Sequence, residues 1–223
     1  MNRSIVLLLL AAAMVAMVAG GALTASTPAD APTKPSEDRT RDLAFTSQPP
    51  HMIKVVLPGD SKASTFWYVR YTVTNGTGAE QRFVPDFVLS TDTGQVLRSG
   101  QGVSPFVFSA IKEKVSEPLL KDQTNMAGPL LRGADNAKDG VAIFTDIDPE
   151  AGEFDIFVGG LSGEIWSVTP PTPVITTSYG GKTTTKTSVT LSKTLQMKYK
   201  LPGEAAARGS ITPEKVAETW IMR

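Results

Sequence analysis

Apolar and polar residues alternate most clearly along residues 66–94. In the first part of this stretch one parity is apolar and the other is more polar, namely Trp67, Val69, Tyr71 and Val73 against Tyr68, Arg70, Thr72 and Thr74. A period of two residues predicts a half-buried β-strand. Asn75-Gly76 follows at once, and this pair readily adopts the positive φ angles of a tight hairpin turn. We therefore expect two long antiparallel strands joined as a hairpin.

The second strand of this predicted hairpin contains a proline. Its apolar parity comprises Phe83, Pro85, Phe87 and Leu89, and the strand is expected to stop at Asp92-Thr93-Gly94. Proline has no N–H to donate to a neighbouring strand. This strand is therefore predicted to lie at a sheet edge or to contain a bulge.

Shorter alternating runs predict further strands at 51–58, 95–98, 140–145, 153–158 and 163–168. Later in the chain, residues 174–179 lead into Gly180-Gly181, a second predicted hairpin turn. The longest alternation spans 189–201 and predicts a late edge strand, whose outward lysines hinder pairing with other chains. Residues 220–223 are predicted to add a last short strand.

One helix is predicted to interrupt the strands. Ser104 supplies a hydroxyl for the N-cap, and Pro105 suits the first helical position. Apolar residues follow at helical spacing, namely Val107, Phe108, Ile111 and Val115. Glu117-Pro118 is expected to end the helix. Residues 119–139 are predicted to be irregular, with turns marked by glycine and proline.

The first 25 residues have the pattern of an export segment. Asn2-Arg3 gives a short positive region, and residues 5–19 are all apolar or small. Gly20 and Ala22 would allow cleavage of a signal peptide, while the length of 5–23 also suits a membrane anchor. The protein is therefore predicted to be exported, and either secreted or periplasmic, or anchored to the outer face of the cytoplasmic membrane.

Composition divides the rest of the chain into three parts. Residues 26–50 are rich in proline and threonine and are predicted to be a disordered spacer. Residues 51–169 contain most of the predicted strands, and Pro170-Pro171-Thr172-Pro173 marks the boundary with a β extension at 170–223. The chain has no cysteine, so no disulfide supports the fold.

The charges of the chain balance, with 22 basic and 22 acidic residues. A neutral chain has no basic field to hold nucleic acid, so nucleic acid is not expected as a partner. A membrane is expected as a partner only through residues 1–25, if that segment is not cleaved.

Several short motifs resemble those of immunoglobulin-like sandwich domains in secreted or tethered bacterial proteins of unknown function. They lie within residues 52–168 and comprise Val-Thr-Asn-Gly (73–76), Phe-x-Leu-x-x-Asp-x-Gly (87–94), Leu-x-x-Gly (130–133) and Phe-Asp-Ile-Phe-Val (154–158). The resemblance implies an all-β fold, an immunoglobulin-like antiparallel sandwich with one inserted helix and a C-terminal β extension. It also implies a domain that binds or spaces other molecules and is not catalytic.

One motif points to an enzyme. Ser109 and Lys112 have the S-x-x-K spacing of penicillin-recognising serine enzymes, in which one helical turn brings the amine beside the hydroxyl. Ala134-Asp135-Asn136 and Lys182-Thr183-Thr184 partly match the other two motifs of that class, but the first lacks its serine and the second its glycine. A solvated helix face is therefore the preferred interpretation. His51, the only histidine, adjoins the predicted spacer and is poorly placed for a hydrolase triad.

No cofactor is expected, because the chain has neither a P-loop nor a dinucleotide-binding glycine motif. Calcium is the one metal that the sequence suggests. Five carboxylates lie within ten residues, and calcium prefers such oxygen ligands: Asp146, Asp148, Glu150, Glu153 and Asp155. The alternative is an acidic, solvated loop between two strands.

Aromatic residues suggest a carbohydrate-binding module as the second function. Trp67 is on the apolar parity of its strand and is expected in the core, which leaves Trp166, Tyr179 and Trp220 as candidates for an exposed platform. Asn75-Gly76-Thr77 also matches a glycosylation sequon. The preferred prediction is a non-catalytic structural or interaction domain at the cell envelope, whose partner is a protein or a polysaccharide there.

Overall fold

The computed structural model describes residues 42–177, 183–203 and 211–223. Within these residues the chain forms fourteen strands and two α-helices: β1 (Ala44–Ser47), β2 (His51–Val56), β3 (Ala63–Thr74), β4 (Gln81–Phe83), β5 (Asp86–Thr91), β6 (Val96–Arg98), α1 (Pro105–Val115), α2 (Gln123–Met126), β7 (Gly128–Leu130), β8 (Lys138–Phe144), β9 (Glu153–Gly159), β10 (Ile165–Val168), β11 (Val174–Thr177), β12 (Thr183–Lys186), β13 (Val189–Lys200) and β14 (Glu214–Met222). The mainly β, antiparallel fold is thus confirmed, while its immunoglobulin-like character stays a prediction.

The first sheet is built around β3. β8 pairs with one side of β3, and β1 and β2 pair in succession with the other side. The residues between β1 and β2 include Pro49 and Pro50, which cannot donate to the ladder, and the pairing register shifts by one residue there. β1 lies within the segment predicted to be a spacer, 26–50, so the ordered chain begins earlier than predicted. Two apolar residues, Leu43 and Phe45, are too short a pattern to predict a strand.

The second sheet has the order β6-β5-β9-β13-β14, and β10 continues beyond β9 along the same side of β13. The prediction that 189–201 is an edge strand is therefore wrong, because β13 has neighbours on both sides. The edge is β14, which spans nine residues where four were predicted. Alternation along a strand predicts which face is buried and carries no information about neighbouring strands.

The predicted hairpin of 66–94 is also wrong, because its two strands belong to different sheets. β3 lies in the first sheet and β5 in the second, where β5 pairs with both β6 and β9. The predicted strand is divided into β4 and β5, and Pro85 lies in the short connection between them. The proline is therefore neither in an edge strand nor in a bulge. β4 instead pairs with β7 in a small separate sheet. Residues 119–139 thus contain a helix and a strand, and are less irregular than predicted.

The two sheets pack face to face around the main core, which includes Trp67, Phe87, Phe144, Phe154 and Tyr199. The other face of the first sheet is covered by α1, where Val107 and Ile111 form a second buried cluster with Phe66 and Tyr68. Burial of Trp67 is confirmed, at 4% exposure. β3 is buried on both faces around this residue and not on one, because α1 covers the second face. The predicted Ser104 cap and Pro105 at the start of α1 are confirmed.

No helix in the described ranges is long and apolar enough to cross a membrane. The predicted export segment, 1–25, lies outside the described residues, as do the predicted spacer up to residue 41 and the turn at Gly180-Gly181.

Candidate interaction surface

The C-terminal part of the second sheet extends past the sandwich. β13 pairs with β9 through residues 195–200, and its earlier residues 189–192 pair with β10. β11 and β12 then pair only with each other among the described strands. Val174 and Ile175 on β11, the latter at 68%, and all four side chains of β12 are exposed. A two-stranded pair is marginally stable on its own, which marks this extension as a surface that a partner could cover.

β14 forms a long edge beside this extension. Residues 214–220 are all exposed, and they include Val216 at 57% and Trp220 at 43%. The pairing with β13 shifts register at Val216, which makes this residue a bulge. Among the described residues, no strand pairs with the outer side of β14. An exposed edge with apolar side chains is a ready template for pairing with another chain.

An ionic cluster joins this surface to the start of the described chain. Lys193 donates from Nζ to Oδ2 of Asp42 at 2.7 Å, and the same ammonium lies 3.3 Å from Oε2 of Glu164. The Ser162 hydroxyl donates to the other oxygen of Asp42 at 2.6 Å. The hydrogen bond that Lys193 donates to Asp42, followed by its contact with Glu164, raises the pKa of Lys193. The sequence does not predict this cluster, because Asp42 and Glu164 lie in loops that are far from β13 along the chain.

The Lys193 ammonium also lies 5.2 Å from the centre of the Trp220 ring, a cation–π distance. The lysine is mostly buried, with 19% of its side chain exposed. Asp42 and Glu164 therefore hold the lysine against one side of the indole, and this contact fixes the position of the indole. The result is an exposed aromatic side chain with a fixed orientation at the edge strand.

The predicted aromatic platform is only partly described. Trp166 lies opposite Leu191 and Trp220 opposite Leu195, on opposite sides of β13 and about 13 Å apart along it. Trp166 is half-buried, and its indole N–H is buried without a hydrogen-bond partner. Tyr179 lies outside the described residues. The two tryptophans therefore do not form one continuous row.

The five predicted calcium ligands are not brought together. In the described part of the chain, no group of three or more His, Cys, Asp or Glu side chains is placed to hold a metal ion. Asp148 accepts from the Glu150 N–H, and hydrogen bonding, first from Thr93, lowers its pKa. Burial raises the pKa of Asp146. Glu153 and Asp155 lie on β9, on the face opposite the core, and are therefore separated from the loop. The alternative of an acidic loop therefore describes this segment better.

The candidate catalytic residues have other contacts. The Ser109 hydroxyl donates to the Pro105 carbonyl at 3.4 Å, and the Lys112 ammonium lies 5.9 Å from the centre of the Phe108 ring. No hydrogen bond joins Ser109 to Lys112 in the described chain. His51 lies in β2 with its ring 5.8 Å from that of Tyr68, so it is held by the sheet and does not adjoin a spacer as predicted. Lys182 of the third motif lies outside the described residues.

No protein-family model, curated protein or solved structure matches this chain. The likeness of residues 52–168 to immunoglobulin-like domains thus rests on the quoted motifs alone.

Proposed function

We propose that this protein is a non-catalytic, exported domain that holds another protein at the cell envelope. The observation that carries the proposal is the outer edge of β14, nine residues long, with which no described strand pairs and along which Val216 and Trp220 are exposed. Natural sheets usually cover, shorten or charge such an edge, because it can pair with other chains. β14 carries charges at Glu214, Lys215 and Glu218, but its last part, 219–222, is uncharged and keeps apolar side chains, which supports a role in binding.

The other edges of the two sheets offer less for a partner. The outer side of β8 is covered, since Lys121 exchanges backbone hydrogen bonds with Asp139 and Val141. β6 and β10 are only three and four residues long, and the β1–β2 edge is interrupted by two prolines. β14 is therefore the edge of the described fold that is best suited to pairing.

Export is proposed from the N-terminal segment, where Arg3 precedes an unbroken run of apolar and small residues at 5–19. The partner would then be a protein of the periplasm or cell surface. The chain enters the described fold at Asp42, which is bound to Lys193 beside β14. The proposed binding surface thus lies near the point where the export segment and spacer join the domain.

A carbohydrate-binding module is the second candidate, and exposed Trp220 is the observation that favours it. One side of the indole is already occupied by the Lys193 ammonium, and Trp166 lies on the far side of β13. Within the described residues, a sugar ring at Trp220 would therefore stack on one aromatic side chain and not on a row. This arrangement makes a protein partner the better supported of the two.

Site-specific photo-crosslinking in cells tests the proposal. A photoreactive amino acid at Thr219, on β14, is expected to produce a discrete crosslinked product in the envelope fraction. The control places the same amino acid at Asp60, an exposed turn residue of the first sheet. No product at Thr219, or equal products at both positions, would contradict the proposed function.

A further inference from the structure

We propose that the outer face of the second sheet, the face away from the core, binds a saccharide unit that carries a carboxylate. The site is a cleft of about 250 Å³ across β5, β9 and β13, bordered by Arg98 of β6 and by Arg223, which follows β14. It lies on the face opposite Trp220, which shares the core side with Leu195. The inference goes beyond the proposed function and does not rest on it.

A glycine at the end of β9 leaves the hollow of this cleft. Phe157 and Gly159 lie on the outer face of β9, since Val158 between them is buried in the core. Gly159 has no side chain to fill the space beside Asp86, its partner on β5. A Cβ at Gly159 would lie 3.7 Å from Oδ2 of Asp86, so this carboxylate oxygen borders the hollow. The cleft is therefore the space of a missing side chain with a hydrogen-bond acceptor at its wall.

Arg223 is positioned at the cleft by contacts of its main chain and its side chain. Its N–H and main-chain oxygen exchange hydrogen bonds with Ser192, at 3.1 and 2.7 Å. Its guanidinium carbon lies 4.2 Å from the centre of the Phe157 ring, a cation–π contact. A guanidinium that rests on a ring by one face keeps its N–H groups at the edge, in the planar arrangement that binds both oxygens of a carboxylate.

Arg98 supplies the second cation of the cleft. Its Nη1 donates to Oδ1 of Asp86 at 3.1 Å, and both side chains are more than half exposed. This bond leaves other N–H groups of the same guanidinium able to reach a ligand. Two arginines, Arg98 and Arg223, against one aspartate give the lining of the cleft a net positive charge. This charge favours an anionic ligand.

The remaining groups of the cleft favour a sugar acid over a simple anion. The Asp86 carboxylate only accepts hydrogen bonds, so it repels an anion without donors, such as sulfate. Hydroxyl side chains of Ser192 and Thr194 also border the cleft. A sugar acid fits this set, because its carboxylate suits the arginines and its hydroxyls suit Asp86. A peptide fits less well, since β9 is paired with β5 and β13 and offers no unpaired main chain at this face.

Isothermal titration calorimetry of the purified protein with trigalacturonate is the first test. Maltotriose, which has hydroxyls and no carboxylate, and sulfate, which has charge and no hydroxyls, are the controls, all in about 0.15 M salt. Trigalacturonate is expected to bind roughly tenfold more tightly than either control, because only it can bind the arginines and Asp86 together. No binding of trigalacturonate, or equal binding of sulfate or maltotriose, would overturn the inference.

Arginine variants provide the second test. Arg98→Gln removes one charge, and Arg223→Lys keeps the charge but loses the planar edge of the guanidinium. Each is expected to weaken trigalacturonate binding roughly tenfold. Arg82→Gln is the control, since Arg82 is exposed and lies outside the cleft, and it is expected to leave binding unchanged. An equal loss from all three variants would indicate attraction by net charge alone and would overturn the inference.

Gly159→Val tests the hollow without changing any charge. The added Cβ would make an ordinary contact with Asp86, 3.4 Å from its Cβ, and valine suits a strand, so the fold is expected to persist. Binding of trigalacturonate is expected to be lost, because the side chain occupies the cleft. Unchanged binding by the folded variant would overturn the inference. If circular dichroism shows that this variant does not fold, the comparison of Arg223→Lys with Arg82→Gln decides in its place.

Discussion

The buried side chain of Asn75 stabilises the segment that follows β3, where the chain leaves the first sheet for the second. Its amide nitrogen donates to the carbonyls of Leu130 and Ala79 at 2.8 and 2.9 Å, and its oxygen accepts from the N–H and hydroxyl of Thr77. The residue has no exposed surface. The sequon that begins at this asparagine is therefore inaccessible in the folded domain, and its hydrogen bonds explain why a polar residue lies there.

Replacement of Asn75 by Asp is expected to destabilise the fold by about 3–5 kcal/mol, because a buried carboxylate would face two carbonyl oxygens. Urea unfolding measures this change. Thr77→Val is the matched control, since it keeps the Thr77 N–H bond to Asn75 and removes only the hydroxyl, which bonds Asn75, Ala79 and Gln81. It is expected to cost about 1 kcal/mol. Equal stability of the Asn75→Asp variant and the unsubstituted protein would show that these contacts do not stabilise this segment.

His51 is expected to make the stability of the domain depend on pH. Burial, together with the charges of Arg70 and Lys114, lowers its pKa from the ordinary value of 6.5. The unfolded chain then binds a proton more readily than the folded one, so stability is complete above about pH 6.5 and falls as the pH drops toward the folded pKa.

Thermal melting between about pH 7 and pH 5 tests this prediction. The melting temperature should fall on acidification, and His51→Phe, which keeps a ring against Tyr68, should reduce that fall. Identical pH profiles for the two proteins would mean that His51 does not titrate differently on folding.

At the scale of elements, Gly140 allows β8 to lie close to an aromatic cluster. A Cβ at this position would lie 2.6 Å from Cζ of Tyr71 and 2.8 Å from Cγ of Met126. The Tyr71 ring has little freedom to move, because it is stacked on Phe45 and lies 4.7 Å from the ring of Phe87. Contact between β3, β8 and α2 thus depends on the absence of a side chain here.

Gly140→Ala is therefore expected to destabilise the domain by about 1–3 kcal/mol through overpacking. Gly76→Ala is the control, since a Cβ there meets no atom within 4 Å. Its effect should stay within about 0.5 kcal/mol. Chemical denaturation gives the free energy of unfolding of both variants. A larger loss of stability from Gly76→Ala than from Gly140→Ala would contradict the expected overpacking at Gly140.

Local patterns predict elements better than they predict neighbours. The cap at Ser104 and the faces of β13 follow from short-range chemistry, and both are confirmed. The partner strands of β3 and β13 depend on contacts between distant residues, so the hairpin and the edge strand were wrongly predicted. The same limit applies to the site. The sequence identifies Trp220 as a candidate surface residue, but the orientation of its ring depends on distant Lys193, which Asp42 and Glu164 hold in place.

At the scale of the whole molecule, the segment at 42–47 links the two sheets. β1 pairs with β3 in the first sheet, while Leu43 donates a backbone hydrogen bond to Leu161, at the end of β9 in the second. Leu43 is buried, at 5% exposure, and the Phe45 ring packs on those of Tyr71 and Phe87. These contacts place the segment within the fold and not in a spacer.

A fragment of residues 48–223 is therefore expected to be less stable than one of residues 42–223, by roughly 4 kcal/mol, since it loses one buried aliphatic and one half-buried aromatic side chain. Urea unfolding of the two fragments gives the difference. Leu43→Ala with Phe45→Ala in the longer fragment should account for most of it, because that variant keeps the β1 backbone and loses only the apolar contacts. If the shorter fragment matched the longer one in stability, β1 would contribute nothing to the sandwich, and the predicted boundary at residue 50 would be correct in energetic terms.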